Sequence, residues 1–244
     1  MKGKLIVGAA VGSAAVAGMV VGSRARTWWR TWGVDPAEQA AALPGDDLVA
    51  DADAVDTRGI TIDAPPEAVW PWLVQMGYGR AGWYSWDRMD MRGSSAEQIL
   101  PELQQLAVGD TVPTDPSGGF VVRELEPHRA LVLYVDAVTT AERLAAPDGD
   151  GSLPAGLAAS GRFLDAATAP DFAASWAFSL QPLDGGRTRL VERVRARLGT
   201  PAGTPAVPGK LLGFGVFVMT QKQMTGVRDR AERGSGPASM AYAS

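Results

Sequence analysis

The side chains that most often carry out catalysis are scarce in this chain of 244 residues. It has no cysteine and a single histidine, His128. Without cysteine there is no disulfide, thiolate nucleophile, iron–sulfur cluster or sulfur-ligated zinc site, and one imidazole cannot build a two-histidine metal site. A Ser-His-Asp site would have to use His128, which the pattern places at a hairpin tip with no serine or carboxylate beside it. We therefore expect a structural role for His128, no metal and no cofactor.

Carboxylates and tyrosines are the remaining candidates for acid–base chemistry. The strand pattern after residue 187 alternates, and it places Glu192 on the apolar stripe with Leu190 and Val194. A carboxylate there needs a partner or water, so Glu192 lies either at the rim of an internal cavity or at a sheet edge. Tyr84 and Asp87 are the other two candidate acids or bases.

The run Trp-Tyr-Ser-Trp-Asp-Arg at residues 83–88 allows two interpretations. In the functional one, Trp83, Tyr84 and Trp86 line the mouth of a cavity and Asp87 anchors or polarises a ligand. In the other, the loop is simply packed and Asp87 caps it or pairs locally with Arg88 or Arg92. Further candidate ligand contacts follow from strand or helix position alone, with core packing as the alternative: Tyr134, Trp176, Val216 and Met219.

A formal dinucleotide fingerprint occurs at residues 77–82, which read Gly-Tyr-Gly-Arg-Ala-Gly. The fingerprint requires a strand before it and a helix after it, so that a pyrophosphate meets the helix N-terminus. Here a helical pattern precedes it and an aromatic run follows. We interpret it as a flexible loop that ends a helix.

The elements that must position these side chains can be read from periodicity and turn residues. Residues 57–63 alternate as a first strand, and prolines 65 and 66 open a helix that Pro71 should kink or split. Residues 94–106 are expected to form a second helix, and residues 137–169 a long excursion over the surface. The other expected elements are strands at 120–126 and 129–136, a hairpin at 172–180 and 188–198, and an amphipathic helix at 211–232.

This order predicts an α+β fold, a curved antiparallel sheet wrapped around a long C-terminal helix. Such a grip encloses a space between sheet and helix that large aromatic side chains can line. The domain is expected over residues 57–233. Residues 27–56 are expected to form a juxtamembrane segment and linker, with a short helix near 36–42, and residues 234–244 a disordered tail.

The N-terminal segment has an 18-residue apolar run, residues 5–22, whose only polar side chain is Ser13. As a helix it spans roughly 27 Å, close to the thickness of a hydrocarbon core. Tryptophans 28, 29 and 32, interleaved with arginines, suit the headgroup layer. We interpret residues 1–26 as a single membrane anchor with a cytoplasmic domain; the alternatives are a cleaved signal peptide and export.

Charge is segregated along the chain, although the total is only -4. Residues 1–30 carry +5, residues 31–186 carry -16, and residues 187–233 carry +7. The basic C-terminal stretch is either a solvated hairpin and helix face or a surface for anionic lipid. Because the chain is acidic overall, we expect no nucleic-acid partner.

A family resemblance is carried by residues 61–70, 72–77, 84–87, 175–178, 188–190 and 228–232. Together these segments resemble the SRPBCC superfamily, in particular an actinobacterial branch. This superfamily groups START-like, birch-pollen-allergen-like and polyketide cyclase/dehydratase-like proteins. The resemblance covers roughly residues 57–233. It implies a helix-grip fold with a cavity for a hydrophobic ligand, and it does not imply one reaction, because the superfamily shares its fold and diverges in chemistry.

Three functions remain open at this point. The leading one is a membrane-tethered domain that binds or transfers a hydrophobic small molecule, lipid or polyketide-like. The second is a cyclase- or dehydratase-type enzyme that uses Asp87, Glu192 or Tyr84 as acid or base. The third is a non-catalytic scaffold whose basic hairpin and helix dock on an anionic membrane.

Overall fold

The computed structural model describes residues 28–87, 93–115, 118–138, 171–197 and 207–234, with backbone alone at 115, 118 and 207–215. Two 3-10 turns, Trp28–Arg30 and Pro101–Leu103, accompany the regular elements. These are α1 (Pro36–Ala40), β1 (Ala54–Ile62), α2 (Pro66–Val74), β2 (Thr111–Asp115), β3 (Gly118–Glu126), β4 (Ala130–Asp136), β5 (Ala173–Leu183), β6 (Arg187–Arg197) and α3 (Val207–Gly234).

The strands form one six-stranded sheet in the order β1-β6-β5-β4-β3-β2, with every neighbouring pair antiparallel. Residues directly opposite each other across such a ladder project to the same side. One face, here called the inner face, carries the row Arg58–Glu192–Phe178–Leu131. The opposite, outer face carries the row Thr57–Arg193–Ala177–Val132.

Two helices cover the inner face. Helix α2 begins at the proline pair, where a missing N–H costs nothing, and ends three residues after Pro71. Helix α3 packs against α2 and buries Phe217, Met224 and Val227. The close approach depends on Gly226, since a Cβ there would lie 2.3 Å from the carbonyl oxygen of Tyr84. The predicted α+β architecture, with an antiparallel sheet and a C-terminal helix, is confirmed and is consistent with a helix grip.

The helix predicted over residues 94–106 is wrong, because only the 3-10 turn Pro101–Leu103 forms there. Backbone groups that a helix would use are bonded to other parts of the chain. The N–H of Ser95 donates to Asp87 Oδ2 at 3.0 Å, and the N–H of Leu100 donates to Gln75 Oε1 at 2.9 Å. The buried amide of Gln75 therefore holds this segment in an irregular course.

The expected linker, residues 27–56, is packed on the sheet from residue 28 onwards. Its outer strap, residues 33–51, crosses the outer face and is held by arginines of β6. Arg193, only 3% exposed, donates to the carbonyl oxygens of residues 38, 39 and 41 and to Asp46 Oδ2 at 2.7 Å. Arg195 donates to the carbonyl oxygens of residues 49 and 50. The composition suggested a linker, because the groups that bind these acids and carbonyl oxygens are far away in the sequence and leave no local pattern.

The proposed anchor at residues 5–22, the excursion from residue 139 onwards and the tail after residue 234 lie outside the described residues. Within the described ranges, no helix is both long and apolar enough to cross a membrane.

Candidate functional site

A buried pair of opposite charges lies on the inner face at the β1–β6 side of the sheet. Arg58 of β1 and Glu192 of β6 are directly opposed in the ladder, and both side chains are 0% exposed. Arg58 Nη1 and Glu192 Oε1 are 3.7 Å apart, which is an ion-pair distance but too long for a hydrogen bond. Strand β6 lies between β1 and β5, so the sheet-edge interpretation of Glu192 does not hold.

The Glu192 carboxyl is only half satisfied. Its Oε1 accepts a hydrogen bond of 3.0 Å from the indole Nε1 of Trp176, while Oε2 has no partner among the described residues. Burial raises the pKa of Glu192 to about 7, against the opposing effects of Arg58 and the Trp176 hydrogen bond. Desolvation therefore outweighs the nearby guanidinium, and the carboxyl can exchange a proton near neutral pH.

The Arg58 guanidinium is held on two of its three nitrogens. Nε donates to the Trp29 carbonyl at 3.1 Å, and Nη2 donates to Asp56 Oδ2 at 2.8 Å. The third nitrogen, Nη1, has no hydrogen-bond partner in the described part of the chain. The ring of Phe217 on α3 lies 5.7 Å from the guanidinium carbon, which places a cation–π contact on the helix side.

Aromatic rings surround the carboxyl end of this pair. Trp176 stacks on Trp83 with ring centroids 5.4 Å apart and an interplanar angle of 16°. Phe120 and Phe178 contact the same indole at 5.7 and 5.1 Å. The structure thus brings together three of the predicted ligand contacts: Trp83, Trp176 and Glu192.

Tyr84 belongs to a different cluster, between α2, the loop and α3. Its hydroxyl accepts a hydrogen bond of 3.0 Å from Gln75, and the Arg230 guanidinium lies 4.7 Å from its ring centroid. Burial raises the pKa of Tyr84 well above its ordinary value, so the phenol stays protonated. Among the described residues, Glu192 and Tyr84 have no hydrogen-bond partner in common.

Asp87 forms its hydrogen bonds within its own loop. Its two carboxylate oxygens accept from the N–H and the hydroxyl of Ser95, the latter at 2.6 Å. This arrangement matches the local-capping interpretation, although Arg88 and Arg92 lie outside the described residues. Trp86 is 48% exposed, and Ser85 ties the loop to α3 by donating to the carbonyl of Met219.

The remaining predicted ligand contacts lie away from the buried pair. Tyr134 is opposite Ser175, one residue out of phase with Leu133 and Trp176, and so projects to the outer face, where the Arg123 guanidinium lies 5.1 Å from its ring. Val216 and Met219 are only partly buried on α3, since the buried position beside the pair is Phe217. At this end of α3 the two predicted positions are each one residue before a buried one, Phe217 and Thr220.

Arg58 and Asp56 were not singled out from the sequence. A signal for Arg58 was available, because it alternates in phase with Ile60 and Ile62, both of which are buried on the inner face. Two neighbouring strands therefore each carry a fully buried charged residue on the apolar stripe, Arg58 on β1 and Glu192 on β6. Two such residues of opposite sign are typical of a buried pair.

His128 lies at the tip of the β3–β4 hairpin, as the sequence predicted. Its φ is 62°, and its ring forms a T-shaped contact with Trp70, with centroids 6.1 Å apart. An open groove at this end of the sheet is lined by His128, Pro44, Pro65 and Pro182, among others. The described residues contain no cluster of three or more His, Asp or Glu side chains that could hold a metal ion. The loop at residues 77–82 follows α2 and turns back on itself through a Gly77–Gly82 bridge.

No protein-family model and no curated protein matches this sequence. Solved structures with a similar fold include a protein from Arthrobacter aurescens, at 13% identity, covering 76% of this chain and 92% of that chain with a TM-score of 0.42. The di-domain ARO/CYC StfQ from the steffimycin biosynthetic pathway is 12% identical, with 78% and 54% covered and a TM-score of 0.40. ZhuI aromatase/cyclase from Streptomyces sp. R1128 is 16% identical, with 76% and 97% covered and a TM-score of 0.33.

StfQ and ZhuI are described as aromatase/cyclases, and a further neighbour, Cgl2372 from Corynebacterium glutamicum, is described as a Polyketide_cyc-like protein. This chain spans about half the length of StfQ. At these identities and TM-scores, the neighbours assign neither a branch of the superfamily nor an activity to this chain.

Proposed function

We propose that this domain binds a mainly apolar small molecule on the inner face of the sheet, with the polar end of the ligand at Arg58 and Glu192. The observation that carries the proposal is the pair of buried atoms without partners, Arg58 Nη1 and Glu192 Oε2. Each buried polar atom that is left without a hydrogen bond costs on the order of 1–3 kcal/mol. Native proteins rarely retain two such atoms side by side unless a ligand or an ordered water satisfies them.

The chemistry of the two free atoms favours a hydroxyl-like group. Nη1 can only donate, whereas an ionised Oε2 can only accept, and a ligand hydroxyl can accept from one and donate to the other. The local charges are balanced, since Arg30 and Arg58 stand against Asp56 and Glu192. A neutral ligand keeps this balance, while a carboxylate would add a negative charge beside Glu192.

The aromatic surroundings support an apolar body for the ligand. The stacked rings of Trp83 and Trp176, with Phe120 and Phe178, adjoin the Glu192 end of the pair. Rings of this kind bind apolar and especially planar ligands through burial and offset stacking.

Titration of the protein's tryptophan fluorescence with 2-naphthol and with naphthalene-2-carboxylate at pH 8 tests the proposal. We expect the neutral phenol to bind more tightly than the anion. Arg58→Gln and Glu192→Gln should each weaken 2-naphthol binding by roughly tenfold, the equivalent of about 1.4 kcal/mol. Arg129→Gln is a matched control, because the Arg129 side chain is 73% exposed on the β3–β4 hairpin. Equal affinity in all four proteins would show that ordered water, and not a ligand, satisfies the pair.

A second candidate function is acid–base catalysis by Glu192, favoured by its pKa of about 7. A carboxylate at this position can remove a proton from carbon next to a ketone whose oxygen accepts from Arg58 Nη1, and can return it to the resulting enolate. In deuterated buffer with 2-tetralone, we expect exchange of the C1 protons that Glu192→Gln abolishes. Exchange at the same rate in wild type and Glu192→Gln would rule this out. Asp87 and Tyr84 have no part in it, since their contacts lie elsewhere.

Membrane docking through the basic hairpin finds little support. The guanidinium groups of Arg189, Arg193 and Arg195 are occupied by the outer strap. Tethering through residues 5–22 is a separate proposal, supported by the apolar run and the neighbouring tryptophans and arginines. It predicts that the full chain stays in the membrane fraction after carbonate extraction, and that a chain starting at residue 28 does not.

A further inference from the structure

We propose that Arg30, in the segment that joins the N-terminal region to the domain, is a positioning residue for the buried Arg58–Glu192 pair. Arg30 does not contact Glu192. It acts through Asp56, whose two oxygens bridge the two guanidinium groups. The importance of the pair for a ligand rests on the proposed function, but the contacts themselves and their test do not.

The bridge has well-defined geometry. Arg30 Nε donates to Asp56 Oδ1 at 2.5 Å, and Arg58 Nη2 donates to Asp56 Oδ2 at 2.8 Å. Arg58 Nε is bound to the carbonyl of Trp29, the neighbour of Arg30 in sequence. The turn therefore holds one nitrogen of Arg58 directly and a second through Asp56, and Nη1 alone remains on the side of Glu192.

The turn that carries Arg30 is held against the same helix that covers the pair. The rings of Trp28 and Trp32 meet the ring of Phe217 edge to face, at 5.1 and 6.2 Å. The carbonyl of Trp32 accepts from the N–H of Gly59, next to Arg58 in β1. Strand β1, helix α3 and the turn thus converge on the Arg58 guanidinium.

These contacts predict the direction in which the pKa of Glu192 should change when Arg30 or Asp56 is replaced. The Asp56 carboxylate raises the pKa of Glu192, and the Arg58 guanidinium lowers it. Arg30 offsets the charge of Asp56, so that Arg58 remains available to Glu192. Strand β5 contacts Glu192 with the uncharged indole of Trp176, and helix α3 covers Arg58 with the uncharged ring of Phe217. Loss of Arg30 should therefore raise the pKa of Glu192, and loss of Asp56 should lower it.

The test is a carboxyl-carbon NMR titration of the full chain in detergent solution, with carbon-13 glutamate and the Glu192 signal assigned by its absence in Glu192→Gln. Arg30→Gln should raise the Glu192 midpoint by about half a pH unit, and Asp56→Asn should lower it by a similar amount. Arg30→Lys, which keeps the charge, should stay near wild type, and Arg129→Gln should leave the midpoint unchanged.

A purely structural role for Arg30 gives a different result. If removal of Arg30 only loosened the turn and admitted water, the Glu192 midpoint would fall towards the ordinary glutamate value in both Arg30→Gln and Asp56→Asn. That outcome, or an unchanged midpoint in Arg30→Gln, overturns the inference. If 2-naphthol fails to bind but the two midpoints move in opposite directions, the ligand proposal falls and the positioning role of Arg30 stands.

Discussion

Replacing Glu192 with glutamine tests whether burial or the Arg58 guanidinium controls the ionisation of this carboxyl. The folded protein holds Glu192 with a pKa of about 7, against 4.5 for an unperturbed carboxyl. Between these values the folded state binds a proton that the unfolded state has released. The contribution of Glu192 to stability is therefore fully present below pH 4.5 and is lost as the pH rises through 7.

The magnitude follows from the two pKa values. Each unit of difference is worth about 1.4 kcal/mol, and most of the difference falls between pH 5 and pH 8. The free energy of unfolding of the wild type, minus that of Glu192→Gln, should decrease by about 2.5 kcal/mol over this interval. Other titrating groups are common to both proteins and cancel in the difference.

The measurement is urea denaturation of both proteins at half-unit steps of pH, followed by circular dichroism. A difference that is independent of pH would show that Glu192 titrates as an ordinary glutamate. A difference that increases with pH below pH 5 would show that the ion pair with Arg58 outweighs desolvation and depresses the pKa, because such a contribution is complete above the unfolded value of 4.5. Either result would refute the account of the site given above.

Three further substitutions test the packing around the site. Arg193→Ala removes five hydrogen bonds to the outer strap and β1. We expect it to lower the free energy of unfolding by about 3 kcal/mol and to speed proteolysis within residues 33–51. An unchanged urea midpoint would show that Arg193 does not hold the outer strap on the sheet. Gly226→Ala should destabilise by about 2 kcal/mol although alanine favours helices, because its Cβ would meet the carbonyl of Tyr84, whereas Gly234→Ala, with open space around it, should be neutral. Tyr84→Phe should cost about 1 kcal/mol at every pH between 5 and 8, since the phenol is protonated throughout, and a pH-dependent cost would place Tyr84 in the titrating network.

How far the sequence could predict the site is shown by β6 and its neighbours. Strict alternation placed Glu192 on the apolar stripe, and the structure buries it there, because the phase of a strand is a local property. The same reasoning grouped Tyr134 with Trp176, and the structure places them on opposite faces, since their relative phase depends on the register between β4 and β5. On α3, the residue that contacts the Arg58 guanidinium is Phe217 rather than its neighbour Val216, because the packing of the helix on the sheet sets which position faces the pair.

The expected helix at residues 94–106 and the expected linker at 27–56 have a common cause of error. In both segments the backbone bonds to side chains distant in sequence, Gln75 in the first and Arg193 in the second. Local propensity has no information about such partners.

By itself, the sequence determined the absence of thiol chemistry, the course of the two long hairpins, the closing helix and the unusual position of Glu192. These follow from composition and from periodicity, which act over a few residues. Only the tertiary structure decided that Glu192 faces Arg58, that Asp56 links Arg58 to Arg30, and that one atom on each side of the pair has no partner among the described residues. The residues that meet there are up to 162 positions apart in the chain, and the pairing of β1 with β6 is what brings Arg58 and Glu192 together.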